Sequence, residues 1–333
     1  MVAEADDIRF GMVGHGHISG QFLSAMEVVE GAHVDAVAGR DSGRASAFAQ
    51  DRGIAASFGS VGEMLDAEQL DAVYICTPHP SHVEAALACV DAGVAVLVEK
   101  PLAPNLEGAT RIVDAARDAG VFAMEAMWTR FLPIYEVVRR WVDDGRIGDV
   151  QLLTAAFGFA APVMPEHRLF NPDLAGGSLL DVGVYPLTIA HWLYGSHPSE
   201  YGVVGRVGET GVDEIVSIAA SYPSGGLAQL GCATVANLDF SAMIYGTAGS
   251  IEIPVFFAAD RAILRAGGEE EVEEIPHRAN GFEYEIQEVV DGVRAGRTES
   301  ERMPLSLTLE MAGLCDEIRG KLGVVYPFEE GGS

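Results

Sequence analysis

Between residues 8 and 125, short runs that are apolar on both faces alternate with amphipathic segments. The runs are Ile8 to Val13, Val34 to Ala38, Ala72 to Cys76, Val94 to Val98 and Val121 to Glu125. The segments between them read as helices: Gly20 to about Val29, Ser42 to about Arg52, Ser60 to Leu65, His82 to about Ala92, and Leu106 to Ala119. Strands without a polar face must be covered on both sides, and helical crossovers supply that cover for a parallel sheet. The first part of the chain is therefore expected to be a doubly wound α/β domain of the Rossmann type.

The pattern changes near Met127. A helix from Pro133 to about Asp144 is followed by strands at Gln151 to Phe159, Tyr201 to Val207, Glu214 to Tyr222, Leu227 to Ala233, Leu238 to Tyr245 and Ser250 to Pro254. Pro223-Ser224-Gly225-Gly226 and Gly246-Thr247-Ala248-Gly249 have the composition of hairpin turns. A helix from about Gly177 to Tyr194 interrupts the strands, and helices at Gly281 to Ala295 and Pro304 to Lys321 close the chain. The reading is an N-terminal Rossmann domain over 1–126 and an α+β domain over 127–333 with a large, mostly antiparallel, open-faced sheet.

The net charge of −28 excludes nucleic acid and anionic membranes as natural partners, since both recruit lysine and arginine clusters. No stretch approaches the roughly 20 apolar residues of a membrane span. The acidic start, Met1 to Asp7, is not that of a secretory signal. Four cysteines without paired spacing suit reduced thiols in the cytoplasm, not a disulfide or zinc framework. An anionic ligand of this chain needs a site that is locally positive, built from helix N-termini and a few arginines.

Gly14-His15-Gly16-His17-Ile18-Ser19 joins the first strand to the first helix. It nearly matches G-x-G-x-x-G, with serine in the third glycine place. Gly14 allows the tight turn, Gly16 admits a pyrophosphate, and His17 and Ile18, next along the turn, are expected to meet the cofactor. The alternative is a glycine turn in an unrelated α/β fold. His15 and His17 are not read as a metal site, because no further ligands follow nearby. At the end of the second strand the chain reads Ala38-Gly39-Arg40-Asp41. An acid at this point would bind the ribose hydroxyls of NAD. Gly39 instead leaves room for a 2′-phosphate, Arg40 can pair with it, and Arg44 lies one turn further on. NADP is favoured over NAD. The alternative has Arg40 solvated and Asp41 on the ribose of NAD.

Lys100 is one of two lysines in the chain and stands in Glu99-Lys100-Pro101, directly after an apolar run. Ligands bind at the carboxyl ends of such strands. Asp181 and Tyr185 are four residues apart and would share a helix face. A nearby ammonium would stabilise a tyrosinate, so Lys100 and Tyr185 together could accept a hydroxyl proton. Asp181 would orient Lys100 or bind a substrate hydroxyl. The alternative is a core tyrosine and a helix-surface aspartate.

Together these segments resemble the glucose–fructose oxidoreductase / inositol dehydrogenase / MocA family over essentially the whole chain. The glycine turn, Thr77-Pro78-His79, Glu99-Lys100-Pro101 and the Gly176-Gly177 to Asp181 helix fall in family order. Tyr185 stands where a histidine is common, which resembles the branch of dimeric dihydrodiol dehydrogenase and NADP-dependent xylose dehydrogenase. Met124 to Pro133, Arg168 to Pro172 and Asn280 to Glu285 also resemble that branch. The resemblance implies a dehydrogenase of a sugar, cyclic polyol or trans-dihydrodiol, with Lys100 touching the reacting hydroxyl and the nicotinamide ribose. It implies Thr77, Pro78, His79, His82 and Glu99 on the cofactor side, and Trp128, Arg130 and Phe157 on the substrate. It further implies a homodimer, or a dimer of dimers, formed through the open sheet face. An NAD-linked inositol-type dehydrogenase and a non-catalytic cofactor-binding regulator are the competing readings.

Overall fold

The computed structural model describes residues 7–329. The acidic start at 1–6 and the tail Gly331-Gly332-Ser333 lie outside the described residues. In chain order the elements begin β1 (Ile8–Val13), α1 (His17–Met26), β2 (Ala32–Ala38), α2 (Ser42–Arg52), β3 (Ala56–Phe58), α3 (Val61–Ala67) and β4 (Ala72–Ile75). They continue α4 (His82–Asp91), β5 (Ala95–Glu99), α5 (Leu106–Ala119), β6 (Ala123–Ala126), α6 (Ile134–Asp143), β7 (Val150–Gly158) and α7 (Val184–Tyr194). Then come β8 (Glu200–Val207), β9 (Asp213–Ser221), β10 (Leu227–Ala233), β11 (Ala242–Gly246), β12 (Gly249–Ile253), β13 (Arg261–Ala266) and β14 (Glu269–Glu274). The last helices are α8 (Glu283–Arg294) and α9 (Leu305–Leu322).

Two compact units result. One holds the chain up to Trp128 together with Arg278–Ala312; the other holds Thr129–His277 and the chain from Gly313 on. The sequence reading placed a single cut at 126/127, whereas the units are interleaved. Residues 278–312 return to the first unit through specific contacts. Ala123 N donates to Thr298 O at 3.0 Å, and Asn280 Nδ2 donates to Gln21 O at 2.9 Å. Gly292 sits so close to Phe122 that a side chain there would enter the ring.

The first unit carries a six-stranded sheet in the order β3-β2-β1-β4-β5-β6, every pair parallel. The order reverses between β1 and β4, the switch point where open α/β sheets bind ligands. The central strands are buried throughout: Val73, Tyr74, Ile75, Val96, Leu97 and Val98 have no exposed surface. At roughly 1.5–3 kcal/mol per large apolar side chain, this burial is what drives the sheet to be covered on both faces. The helix starts are written locally. The side chains of Asp41, Ser60 and Asn105 accept the N–H of Arg44, Glu63 and Gly108 at 3.0, 3.2 and 2.9 Å. Helix α1 starts at His17, earlier than the expected Gly20, with Gly16 as its cap residue.

The second unit carries an eight-stranded sheet, β14-β13-β12-β11-β7-β10-β9-β8, antiparallel except for the β7–β10 pair. Helix α6 buries Ile134, Val137, Val138 and Trp141 against β13 and β14, and α7 lies on β7 and β10. Val204, Leu227, Tyr245 and Val272 remain exposed on the strands, Val204 at 77%. Strands β13 and β14 were not expected from the sequence, and for β14 the reason is that Glu-Glu-Glu-Val-Glu-Glu carries the charge of a loop. Cross-strand pairs compensate that charge: Arg265 meets Glu270 at 2.9 Å and Glu252 at 2.6 Å, and Arg261 meets Glu274 at 3.4 Å. No helix of the described residues is long and apolar enough to cross a membrane.

Candidate active site

At the switch point of the first unit, the turn after β1 is pressed against the end of β4. Gly14 has φ +115°, and a Cβ on it would stand 2.8 Å from the Cys76 carbonyl oxygen. Only glycine meets both conditions. Gly16 faces open space, with nothing within 4 Å of a Cβ placed there. No side chain caps α1 and its first turn holds no acid. The N–H groups of this turn and the positive end of the helix are therefore presented to a ligand. His17 is exposed and Ile18 half-buried on that turn. Ser19 is fully buried with Oγ 3.2 Å from Cys76 Sγ, so serine fills the third glycine place without disturbing it.

Beyond β4, Thr77 Oγ1 is buried and has no hydrogen-bond partner among the described residues. Such an orphaned hydroxyl beside a bare helix start fits a bound polar group. Pro78 precedes a short turn at His79–Ser81. His82 is fully buried, with Nε2 2.8 Å from Thr77 O and Nδ1 3.0 Å from Pro101 O. Burial lowers its pKa. The single N–H of the neutral ring donates to one of these carbonyls while the other nitrogen lies against the second, so His82 ties the Thr77 loop to the Lys100-Pro101 turn. At the end of β2, Arg40 and Arg44 are exposed, and their guanidinium groups have no ion pair or hydrogen bond among the described residues. Asp41 Oδ1 is committed to capping α2.

Lys100 follows β5 and is half-buried, joined to Pro101 by a cis peptide bond. The carboxyl group of Glu99 accepts from Tyr74 OH at 2.6 Å and from Lys100 N at 3.3 Å. Glu125 accepts from Leu102 N at 3.0 Å, and burial pushes its pKa up to about 7. Glu285 is buried with neither oxygen hydrogen-bonded among the described residues, and burial, then the charge of Glu99, raises it well above the usual carboxylate range. Lys100 thus stands close to the carboxyl groups of Glu99 and Glu125, and Glu285 lies near Glu99. Glu125 and Glu285 were not foreseen as part of it, although an acid inside the apolar run Met124-Glu125-Ala126 was a readable signal.

In the second unit, the expected helix from Gly177 opens as a π-turn over Leu179–Gly183 and becomes regular at α7. Asp181 and Tyr185 are both buried. Arg168 Nη1 reaches Asp181 Oδ1 at 2.8 Å. The front of the turn is anchored by Asp213, whose Oδ2 accepts from Ser178 Oγ and Leu179 N, both at 2.7 Å. Gly177 adopts φ +125°, and a side chain on it would strike Asp213. Nothing in the sequence pointed to Asp213, which comes from a distant strand. π-turns are over-represented at functional sites.

Of the expected substrate contacts, Trp128 belongs to the first unit and stacks on Phe282, with centroids 4.8 Å apart. Arg130 and Phe157 belong to the second. Phe157 stacks on Phe257 at 3.9 Å and lies 5.4 Å from Tyr185, so an aromatic surface adjoins the tyrosine. No group of three or more metal-ligating side chains is present among the described residues.

Residues 8–127 match the family model described as an oxidoreductase family with an NAD-binding Rossmann fold. Residues 135–252 match the GFO/IDH/MocA C-terminal domain. The chain is 34% identical to trans-1,2-dihydrobenzene-1,2-diol dehydrogenase of Mus musculus, covering 96% of this chain and 98% of that one. A 3-ketoreductase from Actinomadura kijaniata, solved with NADP and TDP-benzene, is 25% identical with a TM-score of 0.85, covering 95% and 98% of the two chains. Aldose-aldose oxidoreductase from Caulobacter crescentus shares the fold at 22% identity and a TM-score of 0.87, with the same coverage.

Proposed function

This chain belongs to the GFO/IDH/MocA oxidoreductase family, and on that premise we propose that it is an NADP-dependent dehydrogenase of a secondary, or anomeric C1, hydroxyl on a sugar, cyclic polyol or trans-dihydrodiol. The nicotinamide, when bound, supplies the hydride acceptor. The observation that carries the cofactor choice is the pair of unpartnered cations at the end of β2. In a chain of net charge −28, Arg40 and Arg44 have no acidic partner among the described residues, while Asp41 is held as a helix cap. The NADP bound to the Actinomadura reductase supports the same choice. Gly14, Gly16, His17, Ile18, Thr77, Pro78, His79 and Glu99 would line the cofactor, with His82 fixing their loops. The name of the mouse relative supports a diol on a six-membered ring as one substrate class.

In this reading Tyr185 accepts the hydroxyl proton, Lys100 stabilises the developing alkoxide, and Asp181 orients the hydroxyl. Trp128, Arg130 and Phe157 contact the substrate. The exposed apolar side chains on the second sheet would be covered in a homodimer or a dimer of dimers. Four buried free thiols suit the cytoplasm. The test is a parallel fluorescence titration with NADPH and NADH, repeated on Arg40→Ala. The expected result is tight NADPH binding, weak NADH binding, and a loss in the variant confined to NADPH. A preference for NADH would reject the NADP reading and favour the inositol-type dehydrogenase. Binding of neither would count against a dehydrogenase altogether.

A further inference from the structure

We propose that His15 is a third contact to the 2′-phosphate of NADP, occupying the place where NAD-binding chains put a carboxylate. This rests on the NADP reading above. In dinucleotide-binding folds the residue at the end of the second strand reads the adenosine ribose, and an acidic side chain there accepts from the 2′-hydroxyl. That residue here is Gly39, which has no side chain to do so. The space is nonetheless filled. A Cβ built on Gly39 would lie 2.6 Å from His15 Cδ2 and 2.7 Å from His15 Nε2. The imidazole therefore comes up from the turn after β1 into the volume that a side chain at position 39 would claim.

Its surroundings keep it there. The Cβ of Ala45 is 3.6 Å from the same point, and the Phe48 ring centroid is 6.3 Å from that of His15. The ring is thus bordered by the first turns of α2. It is half-exposed, and neither nitrogen has a hydrogen-bond partner among the described residues. Arg40 follows Gly39 directly, and Arg44 lies on the first turn of α2.

The exchange of groups has a chemical sense. A carboxylate only accepts hydrogen bonds, whereas an imidazole can donate one. The hydroxyl of NAD can serve as donor to a carboxylate; the phosphate of NADP offers acceptor oxygens and repels an anion. A donor beside Gly39, the residue that Arg40 follows, suits the phosphate, and the absence of a side chain at Gly39 is what admits that donor. Position 15 and position 39 therefore form one specificity element, with the ring from one and the room from the other.

The test uses the intact protein and reads binding, not turnover. Adenosine 2′,5′-bisphosphate and AMP, which lack the nicotinamide, isolate the ribose end when they compete against bound NADPH. His15→Ala is expected to weaken NADPH and the bisphosphate by roughly tenfold or more, as for loss of a hydrogen bond to a charged group, and to leave NADH and AMP unchanged. Gly39→Ala, which displaces the ring, should cause a similar loss, and the double variant should lose little more than either single one. Equal weakening of all four ligands would overturn the proposal by making His15 a shaper of the turn only. No weakening of any would overturn it as well. A wild-type protein that ignores the 2′-phosphate would overturn the NADP reading itself, whatever His15 does. Unchanged melting temperatures would show that both variants fold.

Discussion

Arg168 and Asp181 are joined at 2.8 Å, a half-exposed guanidinium meeting a buried carboxylate. Removing the guanidinium takes away the contact that holds this carboxylate in its present orientation. Arg168→Met is expected to lower kcat by roughly tenfold or more, about 1.4 kcal/mol or above, with NADPH affinity unchanged. Stopped-flow turnover and a parallel titration would check it. A variant with wild-type kcat would leave the pair a purely structural one.

In the proposed mechanism Tyr185 takes the hydroxyl proton. Tyr185→Phe keeps the ring beside Phe157 and Phe257 and removes only the hydroxyl. Turnover should fall by a factor of roughly 100 or more while cofactor binding stays intact. Steady-state kinetics on any accepted diol or sugar decides this, and unchanged turnover removes Tyr185 from the chemistry.

Asp213 is a positioning residue by its contacts. Asp213→Ala strands the N–H of Leu179 in the interior and leaves the hydroxyl of Ser178 with only the weak Cys232 Sγ contact at 3.4 Å. The expected destabilisation is about 2–6 kcal/mol, from two buried donors at roughly 1–3 each. Urea unfolding measures it. A loss below about 1 kcal/mol would mean that water or another group satisfies both donors.

The buried Glu125 makes stability fall as pH rises. Its pKa is raised by burial from 4.5 to about 7, so between those values the folded state holds a proton that the unfolded state has lost. This contribution is present in full below pH 4.5 and is lost as pH rises through about 7. Its size is on the order of 3 kcal/mol. Glu125→Gln should flatten this part of the profile, so the variant gains relative to wild type between pH 5 and pH 8, as read by chemical denaturation at several pH values. An unchanged difference across that range would show that Glu125 does not titrate there.

The parallel sheet was legible because its strands are apolar on both faces and its helices begin at Asp41, Ser60 and Asn105, which are local signals. The π-turn was not, since Leu179 to Gly183 has the composition of any buried helix and its geometry depends on Asp213 from β9. Strand β14 was missed because pairing with Arg261 and Arg265 overrides the loop-like charge of its own residues. At the site, the glycine turn, Arg40, Lys100, Asp181 and Tyr185 stood out by residue type and spacing. Arg168 as the partner of Asp181, His15 in the place of a side chain at position 39, and Glu285 next to Glu99 are relations across sequence distance. Periodicity carries no trace of them.

The return of residues 278–312 to the first unit has a consequence for synthesis. On the ribosome, the six-stranded sheet can form early, but the contacts of Gly292 with Phe122, Thr298 with Ala123, and Asn280 with Gln21 must wait until all of Thr129–His277 has emerged. The buried Leu305 closes the same core later still. Until then the nascent unit exposes part of its apolar surface, which makes it a natural client for chaperones and a poor candidate for expression as a fragment ending at Trp128.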